Sequence, residues 1–303
     1  MLIDFGKHER RILIETNKVV RDVAEVYDES LEEVTDIFGV AYNKYDGDIV
    51  EFEKYNRLES LDKAIVGVAS VLAVTTGKRI MSGMKDVYRE SYYTSAYEVD
   101  KTVGVPLGFS RGIGGKVQTA MNNPADTLTQ AQRNRKNVQA MTAQVKQEML
   151  SGLRRGESYK EIARTLQNRF DMSKTVAERL VRTECHRVEV QAQYDCMGDA
   201  IDKGVYLKKQ WRSTLDSRTR DGHQGLDGET ITMAEMFVSS QGGVGPKPGE
   251  MNNASDDINC RCGLNGIIEG FEPKVRMARE KAGQRGELID KVSYKQWKGK
   301  HLT

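Results

Sequence analysis

Cysteine and proline are the scarce residues in this chain, and each scarcity excludes something. Four cysteines in 303 residues, all at or after Cys185, are too few for a disulfide scaffold and fit a reducing compartment. Of the five prolines, the first is Pro106, so the first hundred residues can run as uninterrupted helices. The opening MLIDFGKHERRILIE lacks the basic-then-apolar order of a secretory signal. Long hydrophobic runs are also missing. The uncharged stretch 64–77 spans about 21 Å as a helix, short of the ~30 Å hydrocarbon core; it predicts a buried helix and no membrane partner. A phosphate loop is absent too: in GIGGK, ending at Lys116, the glycine spacing is incomplete and Val117 replaces the metal-binding hydroxyl.

What is present is a soluble composition, 38% hydrophobic and 30% charged, with charge divided along the chain. The net charge of +2 hides an acidic front and a basic rear. Residues 1–126 carry 16 Lys and Arg against 21 Asp and Glu, whereas residues 271–303 carry 9 against 4.

Apolar positions at Ile12, Thr16, Val19, Val20, Val23, Tyr27, Leu31, Val34 and Phe38 fall at helical steps of three and four and mark one face of a long helix. A second helical stretch is expected over 48–100, broken near Gly77 or Gly83. Its tyrosines Tyr88, Tyr92, Tyr93 and Tyr97 read as helix–helix packing in preference to base stacking. Residues 104–123, rich in glycine, read as a connector. Helical pattern resumes through Val138, Met141, Val145, Met149 and Leu153. A short helix follows with capping-box spacing at Ser158 and Glu161. Asp171 and Ser173 are candidate caps of a further helix that carries Arg182-Thr183-Glu184. Beyond Gly204 come short elements: a strand over 205–212, turns, a Gly/Pro-rich loop over 239–256, and a strand over 260–268.

The expected fold is therefore mostly α with a compact α+β module. A helical N-terminal region (1–105) and a flexible connector (106–127) precede a helix-plus-small-antiparallel-sheet domain (128–270). A basic C-terminal tail (271–303) ends the chain.

The chemistry-bearing residues cluster in the α+β module. Alternate strand residues share a side, so Cys260 and Cys262 can present both sulfurs to one place. With His223 they supply two thiolates and an imidazole, donors suited to zinc, and a fourth ligand would be Asp216, Asp221 or water. The alternative is that the cysteines pack as small apolar groups. Glu184 reads as an ion-pair partner of Arg182, Arg187 or an arginine of 216–223, and Asp216 as a turn cap. Cys185 and Cys196 lie about 16 Å apart along one helix and cannot share an ion.

Three strings in this order, RTECHRVEVQAQYD, KKQWRSTLDSRTRDGHQGLDG and INCRC, resemble the phage Mu protein F-like family of minor head, or head morphogenesis, proteins over roughly residues 130–265. The family's signature positions fall on Arg182, Thr183, Glu184, Trp211, Asp216, Arg218, Thr219, His223, Gly228, Cys260, Arg261 and Cys262. Many members carry a cysteine pair near the D-x-R-T segment and a histidine just before C-R-C. This chain has Arg220 with His223, and Asp256-Asp-Ile-Asn259, at those places. That leaves a reduced zinc site of His223, Cys260 and Cys262, or a packed structural knot.

The resemblance implies a structural component of a tailed-phage virion. It would be located inside the head, assembled in the host cytoplasm, and would act in head assembly or genome delivery. Its implied partners are the portal protein and capsid or scaffold proteins. Packaged double-stranded DNA would be a further partner through Lys274, Arg276, Arg279, Lys281, Arg285, Lys291, Lys295, Lys298 and Lys300, which can neutralise phosphates without reading sequence. No enzymatic role is expected. The alternative is a Cys/His hydrolase pairing His223 with Cys260, or a nucleotide-directed, toxin-like activity at Glu184.

Overall fold

The computed structural model describes residues 1–110, 112–123 and 128–268, together with the backbone of Val275–Ala278 and Glu287–Asp290. Strand β1 (Leu2–Ile3) leads through a 3-10 turn into helix α1 (Glu9–Lys44). Helices α2 (Ile49–Glu53), α3 (Arg57–Val103), α4 (Gly114–Asn122), α5 (Gln130–Arg155) and α6 (Tyr159–Asp202) follow. The rest is short: β2 (Leu207–Arg212), α7 (Asp221–Leu226), β3 (Thr230–Ile231), β4 (Phe237–Val238), β5 (Val244–Gly245), α8 (Ala254–Asp257) and β6 (Gly263–Ile268). Within the basic tail, β7 (Val275–Ala278) pairs antiparallel with β8 (Glu287–Asp290). The predicted class holds: long helices first, then a small antiparallel sheet.

Two compact units divide the chain. One comprises Met1–Thr16, Gly83–Thr127 and Thr183–Thr303; the other comprises Asn17–Ser82 and Leu128–Arg182. Helices α1, α3 and α6 each give a portion to both.

The second unit is built by apolar stripes. Val19, Val23, Tyr27, Leu31, Val34 and Phe38 of α1 are buried, as the periodicity predicts. Ile65, Val68, Leu72 and Ile80 of α3 are buried with Val138, Met141, Val145 and Met149 of α5. Capping boxes open α5, where Thr129 and Gln132 cap each other, and α6, where Ser158 Oγ and Glu161 do the same.

Three expectations fail here. Helix α3 runs unbroken through Gly77 and Gly83. Each interior glycine costs about 1 kcal/mol relative to alanine, a penalty that the continuous stripe of buried side chains offsets. Residues 64–77 are not wholly buried: Val66, Val71 and Val74 are 44%, 64% and 55% exposed on the opposite face. That helix is apolar and long enough to pass a membrane-span criterion by length and composition, which the core helix of a soluble protein also does. Asp171 and Ser173 do not cap a new helix, because α6 continues through them. Ser173 is buried instead, its hydroxyl 3.3 Å from Tyr27 Oη and its carbonyl accepting from Asn137 Nδ2 at 2.9 Å.

In the first unit the sheet has the order β1-β6-β2-β3, antiparallel throughout. Strands β2 and β6 pair along their whole length, Leu207 opposite Ile268 and Arg212 opposite Gly263. The edge strand β1 was not legible from the sequence; it sets Ile3 opposite Gly266. The predicted connector contains α4, whose Lys116 forms an ion pair with Asp199 of α6. Of the tyrosines, Tyr88 and Tyr92 are buried and donate to Asp195 and Asp199 of α6. These two pack between helices as expected, whereas Tyr93 and Tyr97 are exposed.

Candidate functional site

The segment from Trp211 to Gly228 turns back on itself, and its polar side chains hold the turn. Trp211 N–H donates to the Glu229 carbonyl at 2.9 Å and Gly228 N–H to the Trp211 carbonyl at 2.9 Å, which closes the excursion. Inside it, Ser213 N–H donates to Asp227 Oδ1 at 2.8 Å and Ser213 Oγ donates to the His223 carbonyl at 2.7 Å. Asp216 is a turn cap, accepting from Arg218 N–H at 3.0 Å, and its carboxylate is gripped by the Arg261 guanidinium from both nitrogens. Burial opposes ionisation of Asp216, but Arg261 outweighs it and holds the carboxyl below its ordinary range. Asp216 therefore stands apart from the candidate metal ligands, and Asp221 is exposed at the first position of α7. Neither supplies the expected fourth ligand, because the first is committed to Arg261 and the second faces solvent.

Cys260, Arg261 and Cys262 precede β6 and are not part of it. Asn259 enters this segment at φ 55°, its N–H donating to Thr183 Oγ1 at 3.2 Å. The alternation predicted from strand geometry survives in the extended chain. Arg261 reaches Asp216 on one side, while both sulfurs meet His223 on the other. His223 Nδ1 lies 3.4 Å from Cys262 Sγ and 3.7 Å from Cys260 Sγ. Ligating atoms of the three residues all fall within 4.8 Å of one another, and all three residues are buried. Trp211, fully buried, sets its ring edge-on to His223 at 5.2 Å and packs on Phe237 at 5.1 Å.

One part of the site the sequence reading missed altogether. His223 Nε2 lies 3.1 Å from Asp256 Oδ1, and Ser239 Oγ donates to the same oxygen at 2.9 Å. Asp256 is fully buried. Its approach needs two glycines: a Cβ on Gly243 would sit 2.2 Å from Asp256 Oδ2, and one on Gly222 would sit 2.5 Å from Ser239 Oγ. With Nε2 turned to Asp256, it is Nδ1 that faces both sulfurs. The neighbouring Asp257 accepts Met251 N–H at 2.9 Å and anchors the Gly/Pro-rich loop.

Charge is shared unevenly between the thiols. Burial works against ionisation of Cys262, but Cys260 and the His223 ring outweigh it and bring Cys262 well below the usual thiol range. Cys260 is driven well above that range by Cys262 and by burial. His223 is raised, burial being outweighed by Cys262 and Asp256. A cleft of about 130 Å³ borders Cys262 and His223; Thr214, Arg218, Arg220 and Arg261 are among its walls.

The remaining predicted residues have structural settings. Glu184 pairs with Arg187 at 2.9 Å, both almost fully buried, and Arg187 also donates to the Ala120 carbonyl. Arg182 is half-exposed and pairs with Glu178 at 3.1 Å. Thr219 donates to the Thr214 carbonyl within the turn. Burial pushes the Cys185 thiol up to about 12 and raises Cys196 as well, so both are inert at neutral pH. Of the nine tail cations, Arg276 contributes described backbone in β7. Lys274, Arg279, Lys281, Arg285, Lys291, Lys295, Lys298 and Lys300 lie outside the described residues.

Residues 143–265, which contain the turn around His223 and the C-R-C segment, match the family described as phage Mu protein F-like protein. The chain is also 34% identical over 276 residues to the minor head protein GP7 of Bacillus phage SPP1, covering 90% of this chain and 89% of that protein. The chain belongs to the phage Mu protein F-like family. It is a structural protein of a phage head. A second relative, the NAD(+)--arginine ADP-ribosyltransferase EFV of Enterococcus faecalis, is 27% identical over 242 residues. That match covers 80% of this chain but 48% of the relative, so the chain spans about half that protein's length. No solved structure matches the chain. Within the Mu F-like match, R-T-E supplies the Thr183 contact to Asn259 and the buried Glu184–Arg187 pair, while W-x-S-T-x-D and C-R-C build the turn around His223.

Proposed function

We propose that this Mu F-like protein is a low-copy component of a tailed-phage head, placed at the portal vertex or inside the capsid. It is assembled in the host cytoplasm and acts in head assembly, genome delivery or both. The observation that carries this reading is the 34% identity to a minor head protein, extended over nine-tenths of both chains. Its partners on this reading are the portal protein and the capsid or scaffold proteins. Packaged DNA is a third, met through the basic residues 271–303 by sequence-independent neutralisation of phosphates.

The reading is non-enzymatic. The ADP-ribosyltransferase relative is matched over less than half its length, so the shared part does not by itself bring that activity here. Glu184, the residue to which a nucleotide-directed activity was assigned, is locked against Arg187 and is 1% exposed.

The test is quantitative mass spectrometry of purified phage particles, with and without co-expression of the cognate portal. The protein is expected in DNA-filled heads at a few copies per portal ring and is expected to co-purify with recombinant portal. Absence from heads would overturn the reading. For the DNA contact, deleting residues 271–303 should weaken retention of duplex DNA and flatten its salt dependence. An unchanged salt slope would remove DNA from the partners.

A further inference from the structure

We propose that His223 Nδ1, Cys260 Sγ and Cys262 Sγ bind one zinc ion, its fourth position taken by a solvent molecule from the cleft that Cys262 and His223 border.

The distances carry the assignment. In a tetrahedral site with Zn–S near 2.3 Å and Zn–N near 2.0 Å, a sulfur and a nitrogen lie about 3.5 Å apart. The two sulfur–nitrogen separations here are 3.4 and 3.7 Å, to the same ring nitrogen. A nucleophile and its base need one such contact. Two thiols converging on a single lone pair make the corner of a coordination polyhedron.

The surroundings of the ring complete the argument. A metal-bound histidine characteristically donates its other N–H to a carboxylate, which fixes the tautomer and the ring plane. His223 has that arrangement: Asp256 takes Nε2, Ser239 holds Asp256, and Trp211 stands edge-on to the ring. The Cys262 N–H points at Cys260 Sγ at 3.4 Å, a stabilising contact for thiolate sulfur. Two sulfurs and an imidazole select zinc over magnesium, calcium or manganese, which prefer oxygen donors. Asp216 takes no part, since Arg261 occupies its carboxylate. The site also differs from the Cys/His hydrolase considered from the sequence. Cys260 is 4% exposed and Cys262 2%, so no substrate carbonyl reaches either sulfur without opening the turn.

The test uses the full chain. Purified without chelator, it should contain one zinc per molecule by elemental analysis. After removal of the metal, cobalt(II) should produce an intense thiolate-to-cobalt charge-transfer band together with the strong visible bands of four-coordination. Cys262→Ser should abolish the charge-transfer intensity or reduce it by half or more. Because that variant can fail to fold, two further measurements stand beside it. A strong chelator should lower the unfolding temperature of the unsubstituted protein. Asp256→Asn, which keeps all three ligands, should weaken zinc binding about 10–100-fold in competition with a chromogenic chelator. Folded protein that takes up neither zinc nor cobalt stoichiometrically overturns the site. So does a cobalt band that persists undiminished in folded Cys262→Ser, and so does rapid alkylation of Cys262 in the folded, zinc-supplemented protein, which would mark it as a reactive nucleophile.

Discussion

The unit made of Asn17–Ser82 and Leu128–Arg182 and the unit around the small sheet solve different problems with the same chain. The first is held by stripes: Val34, Phe38, Leu72, Val138, Met141 and Phe170 are buried, and any hydrophobic side chain of similar volume would satisfy most of those places. The second buries Trp211 and Phe237 but also His223, Asp216, Asp256, Asp257, Lys209 and Lys247. Each of these needs a particular partner in a particular direction, because a buried polar group left without one costs about 1–3 kcal/mol. The stripe tolerates drift in sequence, whereas the knot requires named residues.

Substitutions in the two units should separate these modes. The largest effects are expected from Phe38→Ala and Trp211→Ala, each costing about 3–5 kcal/mol in denaturant unfolding. They should differ in kind: folded Phe38→Ala should keep the environment of His223, read by its NMR ring resonances, and Trp211→Ala should lose it. Next, Asp216→Asn removes the partner of Arg261 and should cost about 2–3 kcal/mol. Because the folded carboxyl sits below its unfolded range, its contribution is complete above the unfolded value and disappears as pH falls through the folded one. The gap between the unsubstituted protein and Asp216→Asn should therefore narrow in acid. Equal stability loss at pH 7 and in acid would break the assignment.

Lys247 tests the opposite sign. It is 1% exposed and pairs with Glu250, and burial pushes its ammonium down to about 7. The unfolded chain binds the extra proton between that value and the ordinary lysine range, so stability should rise with pH across that window. Lys247→Met should gain on the unsubstituted protein below pH 7 and lose that advantage by about pH 10. A pH-independent difference would show that the ammonium is fully compensated. The smallest effect belongs to the helical unit: Thr129→Ala removes one half of a capping box and should cost about 1 kcal/mol by thermal unfolding.

Legibility in the sequence follows the same division. The stripe of α1 was visible residue by residue, since helical periodicity is a local signal. The meeting of His223, Cys260 and Cys262 was visible because the donor types are rare and the C-R-C spacing is tight. Asp256 was not, although it orients the ring. It lies 33 positions from His223, at the end of a stretch that reads as a Gly/Pro-rich loop and where the structure has the short helix α8. The usable signal was two adjacent acids that both turn out buried, which no pattern rule announces. Helix ends misled in the other direction. Asp171 and Ser173 have the chemistry of caps, yet the apolar stripe of α6 passes through them and Ser173 finds Tyr27 instead. Strand β1, two residues long, offers no alternation to read.

That short strand has a consequence for how the protein is made. Ile3 and Gly266 are 263 positions apart, whereas Arg212 and Gly263, which join the same sheet, are 51 apart. For a flexible chain the longer closure costs about 1.5 kcal/mol more, and it is the kind of distant pairing that slows folding. During synthesis β1 must wait, unpaired on that side, until β6 has been made about 260 positions later. The sheet is thus closed only once both β1 and β6 have been made, and until β1 docks the edge of β6 has no native neighbour on that side.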